Sequence, residues 1–442
     1  MSISTAGHNC KESKMPIGKK KGLLALSPLI VFVLLYFATS LIAHDFYKMP
    51  ISVAFMLSSI YAIAISPGKA LSEKVNAFCV GAGKPNIMLM VWIFILAGAF
   101  SYSAKAIGSI EATVNQMLHI LPENMMMAGL FIATCFISFS IGTSVGTIVA
   151  LVPIAAGLAA TTATSVPLMV AVVVGGAFFG DNLSFISDTT IAATSSQGCK
   201  MSDKFKANSF LVFPAAIVVL AAYIFMGSST GTPAATPSVN IVKVIPYIAV
   251  LATAVCGMNV IVVLASGIIL TGIIGVADGS YDVYGWFKAM GDGILGMGEL
   301  IVITLLAGGL FEIVRKNGGI EYLINKVSGK IHGKRGAEFV ISLLVSLVDV
   351  CTANNTVAII TVGGMAKHIS TKFGVDSRKA ASILDTFSCC MQGIIPYGAQ
   401  LLMAAGLSGL NPLDIMPFLY YPYVLGLFAL LSILFRFPKR YS

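Results

Sequence analysis

Residues 175–194 read GGAFFGDNLSFISDTTIAAT. The stretch lies inside a long apolar run, yet it carries two acids, Asp181 and Asp188, with Asn182, Ser184, Ser187, Thr189 and Thr190 between and beside them. A carboxylate near the centre of a bilayer costs roughly 2.5–3.5 kcal/mol on insertion scales, so an intramembrane acid marks a functional site by default. The run that contains this stretch, 166–195, is longer than the ~20 residues that a straight spanning helix needs. Its middle holds Gly175, Gly176 and Gly180 and the polar cluster. A helix broken at mid-membrane accounts for the length, the glycines and the polar residues together.

The rest of the 442 residues supports a membrane setting. The composition is 57% hydrophobic and 11% charged, against about 25% charged in a soluble domain. The net charge of +9 comes from bases spread over short loops, not from one patch, which argues against nucleic acid as a partner. Eight cysteines show no CxxC and no metal-ligand spacing, and the five histidines fall in tails, loops or span ends. No P-loop, no GxGxxG after a strand and no Ser-His-Asp set stands out, so neither ATP-driven transport nor an enzymatic reaction finds support, and no cofactor is expected.

Working outward, spans are expected at 23–42, 51–65, 87–104 and 208–226, with an amphipathic piece at 107–121. The segments 125–141 and 145–160 are separated only by Gly142-Thr143-Ser144, which suits the tip of a re-entrant hairpin. Residues 227–240 read as a linker rich in Gly, Ser, Thr and Pro. The plan then repeats. Spans fall at 241–256, 260–275 and 300–314, with amphipathic pieces at 281–295 and 319–331. A second hairpin covers 337–350 and 356–369, with Thr352-Ala353-Asn354-Asn355 at its tip, and a second long segment, 378–407, has a polar middle. The segment 413–437 closes the chain. The expected fold is an all-α polytopic membrane protein: a 1–22 tail, a first repeat at 23–226, the linker, and a second repeat at 241–442. Asp181-Asn182-Leu183-Ser184 aligns with Asp385-Thr386-Phe387-Ser388, and 146–150 aligns with 355–359. Each half has five crossings, an odd number, so the second half enters from the opposite side as an inverted repeat.

Charge placement fixes the orientation. With the N-terminus inside, 24 of the 28 lysines and arginines fall in inside segments, and only Lys48, Lys105, Lys243 and Lys288 fall outside. The positive-inside rule therefore places both termini in the cytoplasm of a bacterial-type inner membrane.

Asp181 and Asp188 lie seven apart, and a break between them lets their carboxylates converge on one site. Carboxylates with Asn182, Ser184, Ser187 and Thr189 form a set of hard oxygen ligands, suited to Na+, Li+ or a proton. Burial and a second nearby acid both favour the protonated carboxyl, so protons and Na+ compete for the same oxygens. From the other half, Asp385, Ser388 and Gln392 on the second long segment and Asp349 before the second tip are the corresponding polar groups. Thr143 and Ser144 at the first tip, and Asn354, Asn355 and Thr356 at the second, present hydroxyls, amides and helix N-termini to an ion or an anionic group.

The run from Gly180-Asp181 through Ser187-Asp188-Thr189-Thr190 resembles the GD-x-x-S-P-x-SDTT signature of NhaC-type Na+/H+ antiporters, within the ion-transporter superfamily. Thr352 to Ile359 and Ile395 to Gln400 are similar to second-half stretches of the same family. The resemblance implies two re-entrant hairpins, two discontinuous helices, Na+/H+ exchange with Asp181 and Asp188 at the cation site, and a homodimer moving by an elevator-like step. Phe185 stands where the family pattern has Pro, a departure that bears on ion selectivity more than on fold. Relatives of this type also carry organic acids and amino acids. The expected function is Na+/H+ antiport. The alternative is Na+-coupled transport of an amino acid or small organic acid, with both hairpin tips and the Gln392–Gln400 stretch forming a solute pocket beside the ion site and Phe185 and Tyr397 lining it.

Overall fold

A computed structural model of the protein describes residues 19–43, 49–68, 70–120, 125–162, 164–185, 187–227, 240–256, 258–328, 331 and 333–441. The tail before residue 19 and the linker from 228 to 239 lie outside the described residues. Among the described residues every regular element is helical. The first half comprises α1 (Lys19–Ala43), α2 (Ile51–Ile65), α3 (Leu71–Ala82), α4 (Pro85–Ala106), α5 (Ser109–Ile120), α6 (Met126–Ile141), α7 (Ser144–Thr161), α8 (Val166–Leu183), α9 (Asp188–Gln197) and α10 (Met201–Gly227). The second half comprises α11 (Ile241–Val255), α12 (Val260–Ala277), α13 (Val283–Gly296), α14 (Gly298–Lys316), α15 (Gly319–Ser328), α16 (Gly333–Thr352), α17 (Asn355–Phe373), α18 (Ser377–Ile394), α19 (Ala399–Ser408), α20 (Pro412–Ile415) and α21 (Tyr420–Leu434).

Five stretches are each long and apolar enough to cross a membrane: Ile87–Ala106, Ser144–Thr161, Val166–Gln197, Met201–Gly227 and Val260–Ala277. Two bent helix pairs bring that number to seven, and shorter apolar helices accompany them. The protein is a multi-pass membrane protein.

The halves pack reciprocally. α4 lies on α13 as α3 lies on α14, α4 on α12 as α14 on α2, α5 on α11 as α15 on α1, and α7 on α19 as α17 on α9. Exchanging the halves leaves this pattern of neighbours unchanged, as a two-fold relation between inverted repeats requires. α8 is buried on every side, with Met169 to Val174 fully enclosed. A helix apolar all round belongs at the centre of such an assembly, and α18 occupies the equivalent place, with Ala380, Ala381 and Leu384 fully enclosed.

The helix boundaries correct the internal alignment. Val166 and Ser377, Leu183 and Ile394, Asp188 and Ala399, and Gln197 and Ser408 are all 211 residues apart. The hairpin tips keep the same register, because Gly142 and Ala353 both take a left-handed conformation between their arms. The structural counterpart of Asp181 is therefore Gln392, not Asp385, and Ser144 corresponds to Asn355. Asp385 sits in mid-helix, well before the second break. The alignment on aspartates was off by seven residues, two helical turns, which preserves the helix face and so leaves the apolar periodicity undisturbed.

Candidate ion site at the helix breaks

The first break lies between Leu183 and Asp188, and both α9 and α10 contribute to it. Breaking α8 frees the carbonyls of its last turn, which need donors. Side chains supply them. Thr189 Oγ1 donates to the Asp181 carbonyl at 3.0 Å and Thr190 Oγ1 to the Ser184 carbonyl at 2.8 Å. Lys204 Nζ and Asn208 Nδ2 both donate to the Asn182 carbonyl at 2.8 Å. Ser184 already adopts an extended conformation, φ −61° and ψ 138°, the one that a following proline would enforce. The break thus forms without the proline of the family pattern.

Both acids reach one cavity of about 400 Å³. Asp181 is buried at the end of α8, and its Oδ1 accepts the Ser144 backbone N–H at 3.0 Å. Asp188, exposed to the cavity, is the first residue of α9, where the helix dipole favours a carboxylate. Ser187 and Thr189, whose hydroxyls lie 2.8 Å apart, complete the first-half wall. The hairpin tips bring Thr143 and Ser144 from one side and Asn354, Asn355 and Thr356 from the other. Asn354 caps α17 by accepting the Val357 N–H at 2.9 Å. Gln392 and Gln400 come from either side of the second break. Lys84 lies at the rim, its charge met by Glu312 at 2.6 Å.

The structure places the other sequence-derived candidates off this cavity. Ser184 and Asn182 turn into the protein. Asn182 Nδ2 donates to Asp385 Oδ2 at 3.1 Å, and Asn182 Oδ1 accepts from Tyr421 at 3.0 Å. Ser388 donates back to the Asp385 carbonyl of its own helix at 3.0 Å. Asp349 is fully buried, and neither of its oxygens has a hydrogen-bond partner among the described residues. The expected solute-lining role of Phe185 and Tyr397 is corrected. Phe185 is 40% exposed and stacks on Phe205, while Tyr397 packs edge-on against Phe32 and Phe55 and donates to the Val350 carbonyl at 2.9 Å. Neither ring borders the cavity.

Lys204 went unrecognised in the sequence, where it passes for one of three bases in an inside loop. It is fully buried, 3.0 Å from Asp385 Oδ2 and 2.7 Å from Thr190 Oγ1. Asn208, one turn along α10, donates to the same Asp385 oxygen at 2.8 Å. The available signal was this Lys204/Asn208 spacing of four at the start of an apolar helix. Gln400, at the end of the 392–400 stretch expected to line a solute pocket, does border the cavity, and its Nε2 donates to Ser144 Oγ at 3.1 Å.

Comparison with known proteins agrees with this architecture. The model of the Na+/H+ antiporter family matches twice, over residues 21–231 and 226–437. The Na+/H+ antiporter NhaC of Bacillus subtilis is 26% identical over 81% of this chain and 85% of its own length. NhaC of Alkalihalophilus pseudofirmus is 25% identical over 87% of this chain and 90% of its own length. The malate-2H+/Na+-lactate antiporter of Bacillus subtilis is 20% identical over 90% of this chain and 92% of its own length. Matched by the family model across both halves, this chain is a membrane transporter, not an enzyme, and belongs to the Na+/H+ antiporter family.

Proposed function

We propose that the protein exchanges protons for Na+ at a single site in which Asp181 and Asp188 take up either ion in turn. The observation that carries this reading is that the two carboxylates, on opposite sides of one helix break, border the same cavity among hydroxyls and amides, the lining cation Lys84 being paired to Glu312. Two carboxylates there need compensating charge, and either protons or Na+ supply it. Protons would enter from outside and displace Na+, and the loaded site would then be presented to the other face. With both termini in the cytoplasm, the cavity rim at Lys84 faces the cytoplasm.

In everted vesicles, Na+ should dissipate an imposed acid-inside gradient and restore the fluorescence of a quenched pH dye. Asp181→Asn and Asp188→Asn, each nearly isosteric but unable to ionise, should abolish that response while inserting normally. Full Na+-dependent proton flux in either variant removes that residue from the ion site.

A second reading has its own support. The cavity, at about 400 Å³, far exceeds the ~30 Å³ share of one water, so a small organic acid or amino acid fits beside the ion. One relative is named a malate–lactate antiporter. Labelled lactate, malate or amino-acid uptake in proteoliposomes, without Na+-driven proton movement, would replace the first reading with this one.

A further inference from the structure

The register set by the helix breaks pairs the cavity walls residue by residue. Asp181 corresponds to Gln392, Thr189 to Gln400, Ser144 to Asn355 and Thr143 to Asn354, and all of these border the one cavity. The walls are alike in geometry and unlike in charge. The first half supplies the two carboxylates. At the equivalent places the second half has the amide of Gln392 and the methyl group of Ala399.

The two glutamines are tied down in a particular way. Gln392 is 1% exposed and donates its Nε2 to the Ala353 carbonyl at 2.7 Å. Gln400 is 3% exposed and donates its Nε2 to Ser144 Oγ at 3.1 Å. Each bond commits the nitrogen and leaves the carbonyl oxygen over. Neither Oε1 has a hydrogen-bond partner among the described residues. A buried amide oxygen left unsatisfied is costly, and native proteins seldom leave two in one place without a ligand. Gly398 makes room for the first, because a methyl group there would press on the Gln392 amide. Ser144 joins the two walls, giving its N–H to Asp181 and accepting from Gln400.

We infer that Gln392 and Gln400 supply neutral oxygen ligands to Na+, so that the ion is held between the repeats, carboxylate on one side and amide on the other. This rests on the exchange reading above and adds the means by which the site tells its two ions apart. A carboxylate accepts a proton or ligates Na+. An amide oxygen ligates Na+ as a hard donor but takes up no proton near neutral pH. The glutamines therefore add to Na+ binding alone, and they complete its shell without adding negative charge that a further proton would have to balance.

The test separates the two affinities. Gln392→Met and Gln400→Met keep the volume and remove the hard oxygen. In everted vesicles each should raise the Na+ concentration for half-maximal exchange by about tenfold, the usual effect of losing one good charge–dipole contact. The pH dependence at saturating Na+ should stay where it is in the parent protein. Gln400→Glu, which restores an oxygen but adds a charge, should recover Na+ affinity and displace the pH profile. A parallel measurement on purified protein records the rise in Tm on replacing choline chloride with NaCl, and the Met variants should need more Na+ for the same rise. The proposal fails if both Met variants keep the parent half-saturation. It also fails if half-saturation and pH profile move together, which marks a distorted site, not a lost ligand. Absence of Na+-driven proton movement in the parent protein instead sinks the exchange reading, and the Tm measurement then still decides whether the glutamines bind Na+. If one Met variant fails to insert, the other carries the test.

Discussion

The Lys204–Asp385 pair lies beside the cavity without bordering it. Both residues are fully buried, and Asp385 Oδ2 collects Lys204, Asn208 and Asn182 within 3.1 Å. Asp385 is thus paired with a fixed cation, whereas Asp181 and Asp188, the acids proposed to exchange ions, border the cavity with no such partner among the described residues. Through Asn182 the same network pins the last turn of α8, the turn that carries Asp181. Removing one member of a buried pair strands the other charge and costs about 3–5 kcal/mol, whereas removing both is far milder. Lys204→Met should therefore lower Tm sharply, and Lys204→Met combined with Asp385→Asn should recover most of it. A double variant no more stable than the single would mean that Lys204 matters for something other than its pairing with Asp385. Asp181 and Asp188 were legible in the sequence because charge in an apolar run is conspicuous. The Lys204–Asp385 pair was not, because a lysine at the start of a helix looks the same whether it points to water or inward. Gln392 and Gln400 were legible as polar residues of the second long segment, but only the register of the breaks shows what they stand opposite.

At the scale of helices, most expected apolar segments coincide with helices, from α2 at 51–65 to α17, a hairpin arm expected at 356–369 and observed over Asn355–Phe373, because each is an apolar run closed by polar or glycine punctuation. The first break was legible both as excess length and in position, between Asp181 and Asp188, whereas the second was legible as excess length only. The first break has no proline, and donors from Thr189, Thr190, Lys204 and Asn208 meet the carbonyls it frees, whereas the second is closed by Pro396, which cannot continue α18. Helix starts are more local. Asp376 caps α18 by accepting the Arg378 N–H at 2.8 Å, and its carboxylate also takes the Arg378 guanidinium at 2.6 Å. The Arg378 side chain, with the helix N–H groups behind it, holds the Asp376 carboxyl below the usual range. A group whose value is depressed on folding contributes stability above its unfolded value, and that contribution disappears as pH falls through the folded one. Asp376→Ala should cost about 0.5–2 kcal/mol at pH 7. The gap in Tm between parent and variant should narrow below about pH 4, where the unfolded carboxyl protonates. A gap that stays constant into acid would show that the cap does not act through its charge.

Over the whole molecule, the reciprocal packing explains where glycine is required. A side chain at Gly98 of α4 would collide with the Gly293 backbone of α13, and one at Gly81 of α3 with the Gly308 backbone of α14. These are the same crossing made twice, once by each half, and they bring the scaffold helices of opposite repeats into backbone contact. Contacts between the halves, and one within the second half, also respect the sides assigned from charge. Lys84 meets Glu312, and Asn317 meets Ser66, all expected inside. Ser109 donates to the Lys243 carbonyl, Lys243 pairs with Asp278 at 3.1 Å, and Ser52 reaches Glu299 at 3.2 Å, all expected outside. Loops that touch must share a face of the membrane, so a wrong number of crossings would have joined inside loops to outside ones. The orientation itself rests on the excess of bases in the inside loops, and it is open to a direct test. Lys288 and Arg335 are exposed, on α13 and α16, and are assigned to opposite faces. In a cysteine-free background, Lys288→Cys should react with a membrane-impermeant maleimide on intact cells. Arg335→Cys should react only after the membrane is opened. The reverse pattern would invert the protein and turn the Lys84 rim of the cavity to the outside. Labelling of both positions from one side would break the odd-crossing count on which the inverted repeat depends.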